Sequence, residues 1–177
     1  MPTDSYVFDP PRFSALWVER TVIPVVAVVA VLSILLGLLS LFRRDREQMV
    51  RWQRWTAAVA LVGAGVGTLA TVILVTSGPG ATGDLSAAFN ALIGVAFGLL
   101  ALVLLFPGLV AWGGGYLRGD RPFLGAALVC GPVLPAIVVA VRVALDVDMG
   151  PVGSLPVALP VTAAVVVLGR DLWTRVD

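Results

Sequence analysis

The chain has 177 residues, 59% of them hydrophobic and 13% charged, with a mean hydropathy of +0.99. Soluble domains carry about 25% charged and 45–50% apolar residues, so this balance excludes an ordinary water-soluble globule and points to an integral membrane protein. Twelve arginines against eleven acidic residues leave a net charge of +1, which excludes a basic nucleic-acid-binding surface as the dominant feature.

Histidine is absent, and Cys130 is the single cysteine. The commonest general base and metal ligand is therefore missing, no intrachain disulfide can form, and one thiolate cannot complete a metal site. No catalytic, metal or nucleotide motif stands in the chain, so the sequence predicts neither an enzyme nor a bound cofactor.

Residues 1–20 carry Asp4, Asp9, Arg12, Glu19 and Arg20 ahead of the first apolar run. A cleavable signal peptide starts with a positive region and ends at a small-residue cleavage site, and neither pattern is present. The segment is expected to be a short outer extension. Residues 21–42 form the first apolar run, about 33 Å long as a helix and sufficient to cross the hydrocarbon layer. Residues 43–55 follow as a short arginine-rich stretch that can prolong either flanking helix, and its charge suits anionic lipid headgroups at about 1 kcal/mol per arginine.

The second run, residues 56–76, contains Ala60, Gly63, Gly67 and Ala70 on one helix face. The connection SGPGATGDLS, residues 77–86, is rich in turn formers. In the third run, residues 87–112, Ala87, Ala91, Gly94, Gly98 and Ala101 form a similar face. Lipid supplies no hydrophobic drive between helices, so close backbone approach must hold them, and small residues allow it. These two faces are expected to pack the second and third helices together, with homo-oligomerisation or a membrane-protein partner as the alternative use.

Residues 113–121, GGGYLRGDR, read as a flexible connection. The glycines do not match a phosphate-binding spacing, and Arg118-Gly119-Asp120 reads as a chance turn. The fourth run, residues 123–145, contains Pro132 and Pro135; the fifth, residues 152–169, is shorter and contains Pro156 and Pro160. Prolines free carbonyls inside a helix, which makes these two runs the candidates for kinks or breaks. The fifth also has a re-entrant or interfacial alternative.

Arginine placement decides between them, because basic residues near the spans gather on the cytoplasmic side. Five crossings with an outer N-terminus put nine arginines inside and three outside; four crossings give seven and five. The expected fold is thus all-α: a single polytopic bundle over residues 21–177 with five transmembrane helices, the N-terminus outside and the C-terminus cytoplasmic.

The middles of the five runs hold no ionisable residue. Asn90, Arg142, Asp146 and Asp148 are the candidate polar cluster, beneath the outer loops. The favoured function is a non-catalytic accessory or scaffold subunit in the cell membrane, with the bilayer and a membrane protein or second copy as partners. The alternative is a small transporter or solute-binding component with its site between helices four and five.

Overall fold

The computed structural model describes residue 14 and residues 17–77, 85–119, 121–145 and 155–174. Among them every regular element is helical: a π-helical turn Val18–Val22, then α1 (Ile23–Asp45), α2 (Arg51–Ser77), α3 (Leu85–Leu117), α4 (Pro122–Leu145) and α5 (Leu155–Trp173). Among the described residues, four segments are long and apolar enough to cross a membrane: Arg20–Asp45, α2, α3 and Pro122–Arg142. Large apolar side chains such as Val25, Leu36, Leu92 and Val103 are well over half exposed, a surface suited to lipid or to packing against another apolar surface.

The helices outrun their apolar stretches. α1 continues through Arg43 and Arg44 to Asp45, α2 starts at Arg51, and α3 reaches Leu117. The 43–55 stretch therefore prolongs both neighbours and reverses within residues 46–50. The N–H groups of Gln48 and Met49 both bond the Asp45 carbonyl, at 3.0 and 3.1 Å. The Arg54 guanidinium donates to the carbonyls of Met49 (3.1 Å) and Glu47 (3.3 Å), tying the turn to the start of α2.

Helix also runs uninterrupted through Pro107, Pro132, Pro135 and Pro160. Pro122 takes the first position of α4, where its missing N–H is no loss. Hydroxyls within the helices return to their own backbone: Ser33 to the Val29 carbonyl, Thr68 to Ala64 and Thr71 to Gly67, at 2.7–2.9 Å. That keeps polar side chains satisfied without water.

The chain divides into two compact units: Met1–Leu35 with Ala64–Ala101, and Leu36–Gly63 with Leu102–Asp177. In the first, α2 and α3 meet through small residues. A Cβ on Gly94 would lie 2.8 Å from the Leu74 side chain, and one on Gly67 would lie 3.4 Å from the Ala101 Cβ. Ala64, Ala70 and Ala101 are buried there. In the second unit the approach is closer, since a Cβ on Gly63 would sit 2.5 Å from the Leu105 backbone nitrogen and one on Gly108 2.8 Å from that of Ala60.

Gly113, Gly114 and Gly115 correct the expectation of a flexible connection, because all three lie inside α3. Gly113 faces the Gly125 carbonyl of α4 and Gly115 faces the side chain of Gln53 on α2. Removing side chains at these two positions lets neighbouring elements close on α3. Gly131 of α4 meets Ala164 of α5 in the same way. Leu38, Leu41, Trp112, Leu124 and Leu128 fill the core of this unit.

Candidate functional site

In the second unit, the C-terminal ends of α1, α3 and α5 and the start of α4 converge on a charged cluster. Asp45, the last residue of α1, is 3% exposed. An ionised carboxylate so buried is tolerated only when donors surround it. Its Oδ2 accepts from the Tyr116 hydroxyl at 2.6 Å and from Arg121 Nη1 at 2.7 Å; its Oδ1 accepts from Arg44 Nε at 3.3 Å. Arg44 spans two carboxylates, because its Nη2 also donates to Asp171 Oδ2 at 2.6 Å and its Nη1 to the Asp171 carbonyl at 3.2 Å. Arg121 Nη1 lies 3.9 Å from Asp171 Oδ2. Two arginines and two aspartates make this network neutral.

Local structure places each member. Asp45 closes α1 just before the turn, Tyr116 lies one residue before the end of α3, and Arg121 directly precedes α4. The Gly119 N–H bonds the Tyr116 carbonyl at 3.1 Å, and the Gly125 N–H bonds the Arg121 carbonyl at 3.1 Å. The Trp112 ring, fully buried, lies 6.3 Å from the Tyr116 ring and meets Phe42 edge-on at 6.5 Å. Its indole N–H has no hydrogen-bond partner among the described residues.

Beside the network is a pocket of about 150 Å³, whose wall includes Asp45, Gln48, Gln53, Gly115, Tyr116 and Arg121. Gln53 is 9% exposed, and its side-chain amide bonds nothing among the described residues. Elsewhere in this unit a groove of about 340 Å³ between the start of α4 and the end of α5 has Arg170, Asp171 and Thr174 in its wall beside Phe123, Leu124 and Val167, and two further grooves have apolar walls. One of about 710 Å³ runs between α3 and α4 past Phe106, Pro107, Pro132 and Pro135; one of about 280 Å³ runs between α4 and α5 past Cys130, Leu134, Pro160 and Ala164.

The sequence-predicted polar residues are described only in part. Asn90 is exposed on α3 in the first unit, Arg142 is half-buried in the last turn of α4 in the second, and Asp146 and Asp148 lie outside the described residues. Of the small-residue positions, Ala60 faces Gly108, Gly63 faces Leu105, Gly67 faces Ala101, and Gly94 faces Leu74. Ala70 is buried, Ala91 half-buried, and a Cβ on Gly98 would meet nothing within 4 Å. Sequence reasoning missed Asp45, Tyr116, Arg121 and Asp171. Their signal was the acidic residue inside each arginine-rich segment. No group of three or more potential metal ligands occurs among the described residues. No protein family, curated protein or solved structure matches the chain.

Proposed function

We propose that the chain is a non-catalytic, multi-pass accessory or scaffold subunit of the cell membrane. It crosses five times, with the N-terminus outside and the C-terminus in the cytoplasm. The observation that carries the reading is where the charges lie and what they do. Every described arginine and acidic residue sits at a helix end or in a turn, and the buried carboxylate, Asp45, is engaged by three donors. A base or proton relay needs a titratable group open to its substrate, whereas this carboxylate fastens helix ends together.

The five-crossing topology draws on the same cluster. The Arg44–Asp171 pair sets the end of α5 beside the end of α1, and the Tyr116–Asp45 bond brings the end of α3 there too. Helices one, three and five finishing together is the outcome of five alternating passes. At nineteen residues α5 rises about 28 Å, close to the ~30 Å hydrocarbon thickness. Between the middles of α4 and α5 the walls are apolar, and in the groove at their cluster end the carboxylate, Asp171, is already held by Arg44; this favours a structural subunit over a solute site, which needs convergent polar groups.

Gly98→Leu separates association from folding, because that position is open whereas Gly63 abuts backbone. In native membranes, cross-linking is expected to capture a second copy or a stoichiometric partner for the wild type, and to lose it in Gly98→Leu with thermal stability unchanged. A wild-type chain that remains a lone monomer under cross-linking overturns the scaffold reading.

A further inference from the structure

Beyond the structural role, we propose that the pocket beside Asp45 is an oxyanion site that holds one phosphate group, supplied either by an anionic lipid headgroup or by free phosphate. Two observations point to a guest. Gln53 is nine-tenths buried in the wall, and its amide bonds nothing among the described residues, which leaves its donor and acceptor to whatever occupies the pocket. The Arg121 guanidinium, in the same wall, spends one N–H on Asp45 and donates to no other group among the described residues. A guanidinium has five N–H donors in a fork that suits tetrahedral oxyanions.

Charge selects the sign of the guest. Asp45 already accepts from Arg44, Tyr116 and Arg121, so its negative charge is compensated. The two segments bordering the pocket, residues 43–54 and 116–121, hold seven arginines against Asp45, Glu47 and Asp120. The surrounding potential is positive, which attracts anions. A volume of about 150 Å³ accommodates one phosphate with ordered water, but not a whole lipid. The pocket also lies at the charged end of apolar helices, the level at which headgroup phosphates occur.

The test uses the full chain in mild detergent with two probes. Native mass spectrometry reads retention of added phosphatidylglycerol, and calorimetry reads binding of inorganic phosphate. Saturation at one equivalent by the lipid alone assigns the site to a headgroup; saturation by inorganic phosphate assigns it to a soluble anion. Gln53→Met, which keeps the packing on Gly115 and removes the donor, is expected to weaken binding about tenfold. Gln53→Glu, which puts a carboxylate in the wall, is expected to abolish it. Arg118→Gln, on an exposed side chain that does not line the pocket, should change it less than about twofold. Loss in Arg118→Gln equal to that in Gln53→Met reduces the effect to diffuse surface attraction and overturns the proposal. So does the absence of saturable binding by both probes. If Gln53→Glu fails to fold, as judged by elution and melting, the Gln53→Met comparison decides.

Discussion

Asp45 shows how a membrane helix can end on a buried charge. Arg44, Tyr116 and Arg121 replace the water it has lost, and each is held by a different element or by the helix end itself. Removing Arg121 leaves the carboxylate short of its strongest partner, so Arg121→Leu is expected to cost about 3–5 kcal/mol in unfolding experiments in detergent. Asp45→Leu/Arg121→Leu removes both charges and should lose less than the sum of the single variants, by about 1–3 kcal/mol. Additivity within about 0.5 kcal/mol would show that the two side chains are not coupled. The sequence marked the acids of this cluster only by their arginine-rich surroundings and did not join its members, for a physical reason. Asp45 lies 71 positions from Tyr116 and 76 from Arg121, so no local spacing links them. Arginine distribution speaks only to the side of the membrane and passes over the acids. Asn90 and Arg142 were selected for depth along the chain, which carries no information about lateral neighbours.

At the scale of elements, much more could be read. The first four apolar runs fall within helices long enough to span, because hydrophobic length is a direct requirement of the bilayer. Helix ends were less legible, since backbone hydrogen bonding continues past the last apolar residue into Arg43–Asp45 and back to Arg51. Small-residue spacing located the surfaces and paired the second helix with the third, but not the opposing residues. Gly63 receives the backbone of Leu105, while Gly94 receives the branched end of Leu74, so the small positions of each helix accept larger residues of the other. The same feature yields a paired prediction. Gly63→Ala forces a methyl group against the α3 backbone and is expected to cost about 1–3 kcal/mol. Gly65→Ala, where a Cβ meets nothing within 4 Å, should be neutral or slightly stabilising through helix propensity. Equal melting temperatures for the two variants would remove close packing as the reason for glycine at position 63.

For the whole molecule, the proposed five-crossing topology makes a labelling prediction. In a Cys130→Ala background, Leu85→Cys is expected to react with an impermeant maleimide added to intact cells, while Arg118→Cys and Thr174→Cys react only in inverted vesicles. Labelling of Thr174→Cys from the same side as Leu85→Cys would mean that α5 does not cross. The pair that joins the two ends of this arrangement has a further consequence in time. Arg44 and Asp171 are 127 positions apart. At about 5–20 residues per second, the ribosome delivers the aspartate roughly 6–25 s after the arginine. During that interval Asp45 can already engage Tyr116 and Arg121, whereas the second carboxylate of Arg44 has yet to be made. The contact between the first helix and the fifth is therefore the last of the cluster to close, and its formation marks the arrival of the fifth helix.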